Sequence, residues 1–411
     1  MTGEPLHRAL VWQDRRTAER CRQLQTELGD DFIAGRTGLV WDPYFSATKI
    51  EWLLREVPDL RKKAEHGEVA FGTIDSWLIH RLTAGAEHVT DHTNASRTLL
   101  YDIRRQQWDE ELLGLFGVPI RSLPEIKRSS EIVGTTSGDV LGHEIPIAGN
   151  AGDQQAALFG QGCVEAGNAK CTYGTGAFLL MQIGPKLDSQ PTHTGVLTTV
   201  SCGPDGGPAY ALEGSVFIAG AAIQWLRDGL GLLETAPESE GLARSVESTD
   251  GVYFVPALVG LGAPHWDAEA RGTIVGLTRG TGRAHLVRAA LESMAFSTRE
   301  VLDAMAVASG VNLTELKVDG GASTNDWLMQ YQADLLGVRV SRPDVVETTA
   351  LGAAALAGLA TGIWPDVEAF WATRHYQSFE NGASRGADYK GWKRAVDAAL
   401  HWAGSHSLIE N

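Results

Sequence analysis

The chain has 411 residues, 43% of them hydrophobic and 21% charged, an ordinary globular balance with length for two or three domains. Its formal net charge of −16 leaves no basic excess to meet a nucleic-acid backbone or an anionic membrane, so neither is expected as a partner. An anionic small ligand remains compatible, because backbone N–H groups in a local pocket hold one without any net positive charge.

Four cysteines, at 21, 163, 171 and 202, form no C-x-x-C pair and no zinc spacing, and read as reduced, packing thiols. The apolar run from Val216 to Leu226 is too short to span a bilayer, and Met-Thr-Gly-Glu-Pro-Leu-His has no signal-peptide character. A soluble, cytoplasmic protein is expected.

Leu6 to Trp12 reads as a strand. Asp14 to Leu28 then places Ala18, Cys21, Leu24 and Leu28 at helical spacing and closes on Gly29. Trp41-Asp42-Pro43-Tyr44-Phe45-Ser46 is an aromatic turn before a helix with Ile50, Leu53 and Leu54 inward. Its aromatics suit packing, while Tyr44 also has a hydroxyl to offer a ligand. Phe71 to Leu82 is predicted as an amphipathic helix with Ile74, Leu78 and Leu82 on its buried face. Asp91 to Arg97 reads as a polar loop and Trp108 to Leu115 as a short helix. The prolines at 119 and 124 interrupt regular structure.

Ile145 to Ala148 is a short buried strand, followed by Gly149-Asn150-Ala151-Gly152-Asp153-Gln154-Gln155 and an apolar run to Gly160. Strand, glycine turn and helix start present one carboxylate, Asp153, into a cleft. The same pattern also suits a plain helix cap.

Beyond Gly160 the composition shifts toward Gly, Thr and strand formers. Ala169 to Ile183 reads as strand, turn and strand around Thr172-Tyr173-Gly174-Thr175-Gly176, either a bare hairpin turn or a phosphate-facing loop. No Walker motif occurs anywhere. Ala209 to Phe217 is a strand leading into a helix from Ala219, where Gly220 admits either a close neighbour or an adenine ring. Pro237 to Ser248 reads as a mobile surface segment, and Gly251 to Gly280 as turn-rich. His285 to Ser309 is the longest helix and stops at Gly310. Leu316 to Asp319 is a strand entering Gly320-Gly321, with a helix from about Thr324 to Leu336. That is an ordinary connection or a helix N-terminus facing nucleotide phosphate. Val338 to Ser341 is a strand, Thr348 to Ala360 a small-residue helix built for close packing, and Tyr389 to Ala403 the closing amphipathic helix.

These runs, in order, resemble the glycerol kinases of the sugar-kinase family with the actin and hexokinase fold. The resemblance rests on Ala9 to Gln13 with Arg15-Arg16-Thr17, on Asp42 to Ser46, on Thr93 to Thr98 and on Ala151 to Ala156. It continues through Thr172 to Gly176, Gly260 to Pro264 and Asp319 to Ala322, nearly the whole chain. It implies an α/β fold of two ribonuclease-H-like lobes around a nucleotide cleft, residues 1–159 on the glycerol side and 160–411 on the nucleotide side. It also implies ATP-dependent phosphorylation of glycerol to sn-glycerol 3-phosphate with ATP/ADP and Mg²⁺, in family members that often form homo-oligomers. Asp153 is then the general base and an indirect, water-mediated metal contact. Trp12, Tyr44, Asp153, Gln154 and Phe178 surround glycerol, and Thr175, Gly220, Gln224, Gly321 and Asn325 surround the nucleotide.

The resemblance has gaps. Family members open with an Asp-Gln-Gly-Thr-Thr phosphate loop and an Arg-Glu pair for glycerol, and neither is found here; Arg55-Glu56 and Arg299-Glu300 lie in helical contexts. The first lobe is therefore expected to be N-terminally incomplete, with Leu6 to Trp12 as an unpaired edge, through either a start placed inside a longer reading frame or a genuine short product. Two alternatives to active glycerol kinase follow: a non-catalytic nucleotide-binding fragment, and a kinase for another polyol or pentulose. Members inhibited by fructose 1,6-bisphosphate carry an arginine in a glycine-rich loop, where this chain has Gly138-Asp139-Val140-Leu141-Gly142-His143-Glu144; insensitivity is expected.

Overall fold

The computed structural model describes residues 3–187, 195–345 and 347–406. Its framework is a mixed seven-stranded sheet in the order Tyr376–Phe379, Arg339–Pro343, Glu315–Asp319, Asn168–Tyr173, Ala177–Gly184, Pro208–Val216, Leu197–Cys202. Glu315–Asp319 runs parallel to both Arg339–Pro343 and Asn168–Tyr173, and the other pairings are antiparallel. Alternation along the strands separates the two faces. Cys171, Tyr173, Leu179, Met181 and Leu212 share a core with Met294, Val301 and Leu302 of the long helix Arg283–Ser309. Leu180 and Ala211, on the other face, pack against Leu158 of the helix Asp153–Gly160.

The small-residue helix Thr348–Ala360 packs as closely as its composition demands. A Cβ added to Gly352 would lie 1.8 Å from the Ala156 carbonyl oxygen, so the two helices meet backbone to backbone. Only glycine permits that approach, and it fixes the helix that begins with Asp153.

Residues 3–160 contribute helices and short two-stranded ladders, Val89–Asp91 with Glu125–Lys127 and Ser130–Thr135 with Pro146–Gly149 among them. Their own core gathers Leu24, Ile33, Trp41, Phe45, Ile50, Leu54, Leu112 and Phe116.

Five expectations are corrected. The strand Pro146–Gly149 is not a buried one: Ile145 before it is 48% exposed, and within it only Ala148 is buried. Asp91 to Arg97 is not a loop: Asp91 ends a strand and caps the helix His92–Ala95 by accepting the Thr93 and Asn94 N–H groups. Leu6 to Trp12 forms no strand, because no described strand offers it backbone partners; Lys49 Nζ holds the Val11 carbonyl at 2.7 Å instead. The helix Ile74–Leu82 buries Ser76, Ile79 and His80, while Ile74 is 68% and Leu78 52% exposed. Ile79 packs with Val89 and Val133, and that contact decides the helix's rotation. The segment 237–248 is docked, not loose: its helix Glu238–Arg244 buries Ser239 and Ala243, and Arg288 donates to the Ala243 and Val246 carbonyls.

Candidate active site

Asp153 is the first residue of its helix, and the capping position falls on Gly152. The carboxylate is exposed and among the described residues accepts only the N–H of Gln154, at 2.7 Å, so it is presented outward and caps nothing further along the helix. The turn before it is fixed from below. Thr93 Oγ1 accepts the Gly152 N–H at 2.8 Å and donates to Asp91 Oδ2 at 2.7 Å. Asp91 is fully buried and also takes Ser129 Oγ at 2.6 Å and Asn94 Nδ2 at 2.8 Å. Burial pushes the Asp91 carboxyl up, against the pull of the Ser129 bond; the repulsion of Asp75 adds to the rise.

Two rows of side chains cross the sheet beneath this helix. Asp319, Thr172, Phe178 and Ser215 are in register, and so are Lys317, Lys170, Leu180, Glu213 and Leu197. Register partners point to one face, here the face carrying the helix Asp153–Gly160. Lys170 Nζ donates to Gln154 Oε1 and, at 3.0 Å, to Thr172 Oγ1, tying Gln154 to the strand that enters the Gly174–Gly176 turn. Phe178 stays 41% exposed on this face.

Trp12 and Tyr44 come together in the first part of the chain, ring centroids 5.6 Å apart. Tyr44 and Phe45 lie against Arg97, at 5.7 and 5.3 Å. Arg97 in turn forks onto Glu213 of the sheet at 2.6 and 3.1 Å.

The glycine loops collect at the ends of the parallel strands Asn168–Tyr173 and Glu315–Asp319. The Thr175 carbonyl accepts the N–H groups of Ala219 (2.8 Å) and Ala221 (3.1 Å), and Gly220 N–H donates to Gly174 O at 3.0 Å. Gly320, at φ 84°, lies so close to Tyr173 that a Cβ would sit 2.4 Å from its carbonyl oxygen. The next residue, Gly321, faces open space. Asn325 Oδ1 caps the helix Asp326–Leu336 by accepting the Leu328 N–H at 2.9 Å. Gln224 is exposed on the helix Gly220–Asp228.

The site residues singled out from the sequence thus fall in three places: Trp12 and Tyr44 together, Asp153 and Gln154 at a helix start over the sheet face that carries Phe178, and Thr175, Gly220, Gln224, Gly321 and Asn325 on the glycine loops and the helices that follow them. Sequence reasoning missed Lys170, Glu213 and Asp91, and gave Arg97 no role. A period-2 signal was available for Lys170, which alternates with the apolar Ala169, Cys171 and Tyr173 and shares its face with Thr172.

Residues 1–160 match the N-terminal domain, and residues 169–361 the C-terminal domain, of the FGGY family of carbohydrate kinases. The chain belongs to that family. This FGGY kinase is 56% identical to a glycerol kinase of Thermoanaerobacter pseudethanolicus over 406 residues, 98% of the chain and 81% of the relative. It is 54% identical to a glycerol kinase of Vibrio cholerae over 414 residues, 100% of the chain and 82% of the relative. A crystal structure of Plasmodium falciparum glycerol kinase with ADP superposes with a TM-score of 0.92 at 38% identity, covering 97% of this chain and 80% of that one. The α/β, two-domain, actin/hexokinase-like fold expected from the sequence is the fold of this FGGY kinase. No described helix is long and apolar enough to cross a membrane.

Proposed function

We propose that the chain catalyses ATP-dependent phosphorylation of glycerol to sn-glycerol 3-phosphate. The observation that carries this reading is the exposed Asp153 carboxylate, set beside Gln154 above the strand that leads into the Gly174–Gly176 turn. Residues 1–159 form the glycerol side and 160–411 the nucleotide side. Four free, buried cysteines support a cytoplasmic setting.

Asp153 accepts the proton of the terminal hydroxyl as that oxygen bonds to the γ-phosphorus. The bond from γ-phosphorus to the bridging oxygen breaks, and ADP leaves with its electrons. Gln154 and Tyr44 bind glycerol hydroxyls, while Trp12 and Phe178 wall its carbons. A site satisfying several hydroxyls rejects analogues that lack them. Thr175, Gly220, Gln224, Gly321 and Asn325 line the nucleotide, the glycines through bare backbone.

Among the described residues no three His, Cys, Asp or Glu side chains gather to cage an ion. A single exposed carboxylate, Asp153, instead suits Mg²⁺ that arrives on nucleotide phosphates and keeps its waters. When bound, Mg²⁺ supplies charge neutralisation on the phosphates. The protein's own part is to hold Asp153 and the glycerol hydroxyl in line.

A coupled assay with ATP, comparing glycerol with xylulose, tests the substrate, and calorimetry with ADP tests the nucleotide side. Turnover of glycerol over xylulose is expected. ADP binding without turnover of either would favour a non-catalytic nucleotide-binding protein, and preference for xylulose a pentulose kinase.

A further inference from the structure

Lys170 is 2% exposed, and the reaction above gives it no part. Its ammonium meets Gln154 Oε1 and Thr172 Oγ1. An ammonium has donors only, so the atom of Gln154 that faces it has to be the carbonyl oxygen. The amide nitrogen is thereby turned to the other side, where it makes no hydrogen bond among the described residues.

We propose that Lys170 is a positioning residue that sets the polarity of Gln154, so that the side chain next to Asp153 offers the substrate hydroxyl a donor and never a second acceptor. The inference rests on Gln154 as a glycerol ligand, the reading given under Proposed function. Its chemical sense lies in the hydroxyl itself, which has one proton and two lone pairs. A carbonyl oxygen of Gln154 facing the hydroxyl would compete with Asp153 for that single proton. An N–H facing it occupies a lone pair and leaves the proton to Asp153.

Acidic groups surround Lys170, with Glu213 in its own register row across the sheet. Burial draws the Lys170 pKa down, and the negative charges of Asp319, Asp153 and Glu213 oppose that. Thr172 fixes it from its own strand, two residues along, at the register position opposite Phe178.

Steady-state kinetics on the full chain test the inference with two variants. Lys170→Met removes the ammonium and keeps the stem. Gln154→Glu keeps an acceptor for Lys170 but has no N–H to offer. Each is expected to lower kcat/KM for glycerol by at least about tenfold while KM for ATP stays within about twofold. Lys170→Met added to Gln154→Ala, which has no amide to orient, is expected to cost nothing further in the double variant, since Lys170 acts through that amide. A folded Lys170→Met, or a Gln154→Glu, with wild-type kcat/KM for glycerol overturns the inference, and so does additive loss in the double variant. Should Lys170→Met fail to fold, Lys170→Gln decides in its place: its amide can meet Gln154 with either an oxygen or a nitrogen, so a fall of about tenfold in kcat/KM for glycerol is expected and a wild-type value overturns the inference. A wild-type chain that turns over no glycerol overturns the glycerol reading and this inference with it; a wild-type chain that does, beside unaffected variants, overturns the inference only.

Discussion

Arg97 and Glu213 join the helical first part of the chain to the sheet through a two-point ion pair, at 2.6 and 3.1 Å, with side chains 18% and 10% exposed. The guanidinium also lies against Tyr44 and Phe45, so the wall of the proposed glycerol site depends on it. Glu213→Ala leaves a largely buried guanidinium without its counter-charge, and a loss of about 3 kcal/mol is expected in urea unfolding. Arg97→Lys is expected to raise KM for glycerol, because a point charge does not reproduce the planar fork. Variants with wild-type unfolding and wild-type KM would contradict this.

The thiols give a second prediction. Burial pushes Cys163, Cys171 and Cys202 up to about 12 and Cys21 up to about 11, so the reactive thiolate is scarce at neutral pH. Labelling with a thiol reagent at pH 7 to 8 (about the pH of such assays) is expected to follow unfolding, all four reacting only once the chain opens. Rapid labelling of the native protein at any of the four would contradict it.

Glu292 gives a third, in pH. Burial, partly offset by Arg288 at 2.9 Å, raises its carboxyl from 4.5 to about 6. Between those values the folded state holds the proton more tightly than the unfolded state, so stability falls as pH rises through the window. The fall from this group is about 2 kcal/mol and is complete above about pH 6. Glu292→Gln, neutral at every pH like the protonated wild-type side chain, removes it. Between pH 4.5 and 7 (roughly the two ends of the window) the unfolding free energy of the variant is expected to rise relative to the wild type by about that amount. A constant difference would contradict the assignment.

Much of this was legible in the sequence for stated reasons. The helix Arg283–Ser309 carries its apolar stripe unambiguously, and the glycine loops announce themselves where strands end. The strand Leu197–Cys202 went unread, and the helix Ile74–Leu82 was read with the wrong face inward. Periodicity says that a face is apolar; only its neighbours, here Val89 and Val133, say which face is covered. Leu6 to Trp12 has strand composition, but composition does not supply partners for its backbone. In the site, Asp153 and Gln154 were legible from a local pattern. Lys170, Arg97 and Glu213 were not, because a buried charge makes sense only beside the distant residue that compensates it.

A fourth prediction concerns regulation. The segment 138–144 is exposed and carries Asp139 and Glu144 with no lysine or arginine, so fructose 1,6-bisphosphate meets like charge there. Glycerol phosphorylation is expected to be insensitive to this compound. Half-inhibition at ordinary cellular concentrations would contradict that expectation.

The central claim is that Asp153 takes the proton from glycerol. It is tested most directly by glycerol-dependent ATP turnover in Asp153→Ala beside the wild type, with ADP binding followed by calorimetry. The account predicts a fall in kcat of at least about a hundredfold with ADP affinity unchanged. Turnover surviving within about tenfold of the wild type would contradict it.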